Sequence, residues 1–186
     1  MSRVVCVDST ILVWGVKRMA IQSQQHMIPM AVRFIEWLED EGDKILIPTP
    51  VLTELLSHRV TEAERVSVLS ILQSKNFLVK PFDVACALKC AELLQSTFTE
   101  SEIVQYTQQH QIPKQKIKYD AQIVATAIVN QCHCIYAQDG DLTRYAHGQI
   151  SVLPMPSIQP RATQIPLFNS SQSLNQKNDR DDDLPF

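Results

Sequence analysis

Short, unbroken apolar runs alternating with longer amphipathic ones predict an α/β fold, a sandwich of helices around a mostly parallel sheet. Two observations carry that reading. The run "VVCV" at 4–7 is apolar at every position, as a strand buried on both faces of a parallel sheet must be. "KILIP" (44–48), "FLV" (77–79), "CHCIYA" (132–137) and "ISVLP" (150–154) have the same character. Between these runs the apolar spacing switches to that of a helix. "AVRFIEWLEDEG" (31–42) puts Val32, Ile35 and either Trp37 or Leu38 on one stripe and ends on a glycine stop. Residues 50–58, 61–73, 83–95 and 118–131 read as further helices, and Asp83 stands where an N-cap belongs. No internal repeat is present.

Composition limits the function classes. With 186 residues, 45% of them hydrophobic, the chain holds one well-cored domain and an appendage. A net charge of -3 excludes a protein wrapped in a global basic field, although not one with local basic patches. The five cysteines are odd in number and lie in apolar runs, which reads as reduced thiols. "CHC" at 132–134 lacks a second Cys/His pair at zinc-like spacing. No run approaches the ~20 apolar residues that span a bilayer, and the N-terminus has no secretory apolar stretch. The expectation is a cytoplasmic protein with no membrane partner.

Four carboxylates stand where packing alone would not put them. Asp8 directly follows the first strand and Asp139 follows the fourth, so both belong at the carboxyl edge of the sheet, where open α/β folds bind their ligands. Asp120 is expected in the first turn of the helix at 118–131, at the end of a stripe formed by Ile123, Val124, Ala127 and Ile128. Glu54 lies early in the helix after the second strand, and Asp141 is a fifth candidate. Any single one of them could be a helix cap. Jointly, converging like charges would repel unless cations neutralised them. Oxygen donors suit a hard ion, Mg²⁺ or Mn²⁺, and such an ion can support hydrolysis of a phosphodiester.

"VVCVDST", "PTPVLTELLSH", "YDAQIVATA" and "IYAQDGDL", in that order, resemble the acidic segments of the PIN-domain nuclease family over residues 3–154. The resemblance implies a PIN-like three-layer sandwich and a metal-dependent nuclease. It assigns Asp8, Glu54, Asp120 and Asp139 as catalytic metal ligands, with Asp141 auxiliary. The chain departs from the family where Thr-Asn often precedes the fourth acid, having Ala137-Gln138, and after the first acid, having Ser9-Thr10. Ser9 can still supply a hydroxyl. Lys114, Lys116 and Lys118, of which the last two would project together from an extended segment, are candidate phosphate contacts, as are His58, Arg59 and Arg144. Each could equally belong to a solvated face.

From residue 157 the chain turns rich in Gln, Ser, Asn and Pro, so the expected division is a nuclease domain over 1–156 and a disordered linker over 157–186. As a flexible coil, 157–180 would span roughly 27 Å. The linker ends in "DDDLPF". This resembles the C-terminal tip of bacterial single-stranded-DNA-binding protein, which docks on replication, recombination and repair proteins. Phe186 offers a ring and a terminal carboxylate, Pro185 restricts the backbone beside Leu184, and Asp181, Asp182 and Asp183 can steer the tip to a basic rim. The expected partners are RNA or DNA and proteins that read such a tip, with a homodimer also admitted. A VapBC-type toxin RNase and a catalytically idle scaffold are the alternatives. The tail argues against the first, and Ala137-Gln138 leaves the second open.

Overall fold

The computed structural model describes residues 2–57, 61–74, 76–110, 113–138 and 140–159. Five parallel strands form one sheet: β1 (Val4–Val7), β2 (Lys44–Pro48), β3 (Phe77–Lys80), β4 (Cys134–Tyr136) and β5 (Ser151–Leu153). Their order is β3-β2-β1-β4-β5. Val5 pairs with Ile45, and Cys6 with both Leu46 and Ile135. The central strands are closed off on both faces, as their continuous apolar sequences require: Cys6, Val7, Ile45, Leu46, Ile47 and Ile135 are fully buried.

Eight α-helices cover the sheet among the described residues: α1 (Ser9–Gly15), α2 (Met27–Asp40), α3 (Thr49–Ser57), α4 (Glu62–Leu72), α5 (Val84–Thr97), α6 (Glu100–His110), α7 (Lys114–Val129) and α8 (Thr143–Ala146). The α/β expectation holds, and Asp83 does cap α5, its Oδ1 accepting from the Cys86 N–H at 3.0 Å. Helix lengths depart from the sequence reading in three ways. α2 begins at Met27, four residues before the expected start, because Pro29 falls in its first turn, where no backbone N–H is needed. α7 begins at Lys114 rather than 118. α1, α6 and α8 were not expected: α1 and α8 are too short to show a period, and α6 has few apolar positions. α6 nevertheless carries a local signature. The Thr99 N–H donates to Glu102 Oε2 at 2.7 Å and the Glu102 N–H to Thr99 Oγ1 at 3.4 Å, a reciprocal cap of the kind Thr61 and Glu64 make on α4.

α1 and α2 pack closely at Gly15. A Cβ there would sit 2.4 Å from Ile35 Cδ1 and 3.2 Å from the Ala31 carbonyl oxygen, so a larger residue would have to displace Ile35 and press the two helices slightly apart. At the amino edge of the sheet, Arg3 and Asp43 pin β1 to β2. Asp43 is 1% exposed. It accepts from the Arg3 backbone N–H at 3.0 Å and from Nη2 at 2.6 Å. Burial pushes this carboxyl up, but the side-chain and backbone hydrogen bonds and the charge of Arg3 outweigh it and hold it below its ordinary value. All five cysteines are free and buried, with burial pushing the Cys132 thiol up to about 12. Among the described residues no helix is long and apolar enough to cross a membrane. The linker beyond residue 159 and the whole Asp181–Phe186 tip lie outside the described residues.

Candidate functional site

The strand order reverses at β1. The chain runs outward from β1 through β2 to β3, while β4 and β5 lie on its other side. A switch point of this kind opens a crevice beyond the carboxyl ends of the strands. Asp8 is the first residue past β1, and its N–H donates to the Tyr136 carbonyl at 2.9 Å, holding it against the end of β4. Asp8 occupies the N-cap position of α1 with an extended backbone, yet its side chain makes no cap hydrogen bond. Its Oδ1 instead accepts from Ser9 Oγ at 3.5 Å. Capping therefore does not account for this carboxylate.

α3 follows β2 without a loop, with Pro50 in its first turn, and packs against both α1 and α7. That arrangement half-buries Glu54 between them. Asp120 is the seventh residue of α7 rather than a first-turn residue, because the helix starts at Lys114. It is therefore too far from the helix N-terminus to cap it or to feel much of its dipole. Asp8, Ser9, Glu54, Lys116, Tyr119 and Asp120 line one cleft of about 370 Å³. The sequence indicated the three acids and Ser9. Gln115 and Tyr119 are also in the wall; Gln115 lies before the helix start that the sequence predicts, and Tyr119, inside that helix, carries no charge to single it out. Pro113, immediately before Lys114, was the available signal for the earlier helix start.

The lysines separate. The expectation that Lys116 and Lys118 project together fails, since in a helix two residues two apart point to different faces. Lys116 faces the acids: its Nζ hydrogen-bonds to Asp141 Oδ2 and lies 3.9 Å from Asp120 Oδ2. Lys114 and Lys118, one turn apart, instead flank a depression floored by Leu94, Ile103, Val104 and Ile117. Arg144 lies over the rings of Tyr106 at 4.1 Å and Phe98 at 5.6 Å, joining α8 to α6. Asp139, His58 and Arg59 lie outside the described residues. Behind the cleft, burial and then the negative charge of Asp120 drive the Tyr145 hydroxyl well above its ordinary value, so it stays neutral.

Among the described residues, the donors that line the cleft are oxygen and nitrogen, with no thiol or imidazole. Carboxylates with a flanking hydroxyl fit a hard divalent cation. Among the described residues, no three His, Cys, Asp or Glu side chains stand close enough together to enclose one. A second, more apolar groove of about 500 Å³ adjoins the cleft and shares Ser9, Thr10 and Glu54 with it; Val13, Trp14 and Ile21 line its floor and rim.

The chain is similar in fold to the crystal structure of VapBC2 from Rickettsia felis bound to a DNA fragment from their promoter, with a TM-score of 0.54 and 16% identity over 82% of this chain and 99% of that one. No curated protein matches it in sequence. Residues 5–148 match the PIN domain, a span that takes in the four acidic segments from Asp8 to Asp141. With its parallel sheet, its β1/β4 switch point and acids from separate segments lining one cleft beyond the carboxyl edge, the chain belongs to the PIN-domain family.

Proposed function

We propose that this chain is a divalent-metal-dependent nuclease that hydrolyses phosphodiester bonds in RNA or in single-stranded or structured DNA. PIN domains are generally nucleases that use divalent ions. The observation that carries the reading is the shared cleft of Asp8, Glu54 and Asp120, drawn from three different segments to one crevice. Those three stand too far apart to enclose an ion by themselves and would hold Mg²⁺ or Mn²⁺ together with Asp139 and Asp141. When bound, the ion supplies Lewis acidity to a non-bridging phosphate oxygen. Ser9 keeps Asp8 oriented through its hydroxyl. A carboxylate of the cleft accepts the proton of the attacking water as its oxygen bonds to phosphorus and the opposite bridging P–O bond breaks. Lys116, and on the adjoining face Lys114 and Lys118, supply positive charge for substrate phosphates; Arg59 and Arg144 are the remaining candidates. The terminal Asp181–Phe186 segment takes the enzyme to proteins that read the tip of single-stranded-DNA-binding protein.

The test is a panel of structured and unstructured RNA and DNA incubated with Mg²⁺ and with Mn²⁺. Asp8→Asn should reduce cleavage by at least about a hundredfold, in the range seen when a catalytic proton-transfer or ion-holding group is lost, while leaving the melting curve cooperative. Full activity in that variant would remove the cleft from the mechanism. A second reading, a VapBC-type toxin RNase, draws on the fold shared with VapBC2 and on the apolar groove beside the cleft, which a partner chain could cover. Growth arrest on expression, relieved by a co-expressed neighbouring reading frame, would favour it.

A further inference from the structure

Lys116 sits where helix physics alone would not place it. It is the third residue of α7, near the positive end of the helix dipole, and Asp120 follows it by four residues, the less favourable order for such a pair. Its ammonium nevertheless lines the acidic cleft, hydrogen-bonded to Asp141 and 3.9 Å from Asp120. It thereby ties α7 to the turn after β4, across 25 residues of chain. A cation held by the same carboxylates would meet this ammonium at close range, and the two would repel.

We propose that Lys116 is a placeholder for the cation. It neutralises Asp120 and Asp141 when no divalent ion is bound and withdraws from them as one binds. Metal affinity is then weaker than the acids alone would set. The flexible four-carbon stem lets the displaced ammonium turn along the cleft wall toward a substrate phosphate. The inference rests on the metal-dependent reading above.

The test uses the full-length chain as wild type, Lys116→Met, Lys116→Gln and Lys116→Arg. Mn²⁺ binding is measured by calorimetric titration at low ionic strength, and thermal melting is followed in EDTA and in Mn²⁺. The Met and Gln variants should bind Mn²⁺ about tenfold more tightly, because one repelling charge is gone from a partly solvated site. They should melt lower in EDTA and gain more from Mn²⁺ than wild type does. The Arg variant, which keeps the charge, should bind as wild type. Gln and Arg both retain a polar end for Asp141, so the comparison survives misfolding of the Met variant. Unchanged or weaker Mn²⁺ affinity in the neutral variants overturns the placeholder and makes Lys116 an orienting residue. Failure of every variant and of wild type to bind Mn²⁺ or Mg²⁺ overturns the metal-dependent reading itself, and the placeholder with it.

Discussion

Asp43→Asn removes one charge from the amino edge of the sheet, at the opposite ends of β1 and β2 from the acidic cleft. The carboxylate is buried, and the Arg3 guanidinium that meets it at 2.6 Å is 40% exposed at its side chain. Asparagine can still accept the Arg3 backbone N–H, so what is lost is the charge assistance of the guanidinium bonds. A hydrogen bond to a charged group contributes about 1.5–3 kcal/mol, and complete removal of a partner from a buried pair costs about 3–5 kcal/mol. Arg3 can turn to water, which keeps this change near the lower figure, about 2 kcal/mol. In a domain of this size that corresponds to a fall in Tm of about 4–8 °C. The pH dependence has a definite sign. The folded-state carboxyl lies below its ordinary value of 3.8, so its contribution is fully present above that value and is lost as pH falls through the lower, folded value. Urea denaturation of wild type and variant from pH 7 to pH 3 should therefore show a constant gap at neutral pH that narrows below about pH 4. Cleavage measured well below Tm should be unaffected. A gap that is absent at pH 7, or that persists unchanged at pH 3, would refute the argument.

Gly15→Val should lower stability by about 1–3 kcal/mol in thermal melts, since Ile35 can swing aside but the Ala31 carbonyl cannot. Because α1 begins at Ser9, the same variant should also reduce the cleavage rate at temperatures where it is folded. Changing Lys114 and Lys118 together to Ala should weaken binding of all nucleic-acid sequences alike and reduce the slope of log affinity against log salt by about one to two, measured by fluorescence anisotropy. An unchanged slope would assign that pair to the solvated surface. Deleting Phe186 should abolish binding to a protein that reads the tip of single-stranded-DNA-binding protein, because buried aromatic anchors dominate small interfaces, while cleavage of a free oligonucleotide continues. Asp181, Asp182 and Asp183 changed to Asn should weaken the same binding more mildly, with the difference shrinking at high salt.

The α/β class and the place of Asp8 at the carboxyl edge of the sheet were legible in the sequence, whereas Asp120 stands one turn further into its helix than expected. Continuous apolar strands and 3.6-residue stripes are local patterns, and a carboxylate directly after a buried strand has few other places to be. The capping alternative for Asp8 could be dismissed only once its side chain was seen to leave α1 uncapped, and that for Asp120 only once α7 was found to start at Lys114. α1 and α8 are too short for any period to show, and α6 has few apolar positions, so tertiary packing and a local cap hold elements that propensity does not announce. The partners of the lysines were likewise beyond the sequence. Whether Lys116 meets Asp141 depends on how α7 is laid against the turn after β4, and that is set by the order of strands and the packing of helices far along the chain. Local composition determines which segments form and which groups reach the edge of the sheet. Which of those groups touch one another is a property of long-range packing, and only the folded chain decides it.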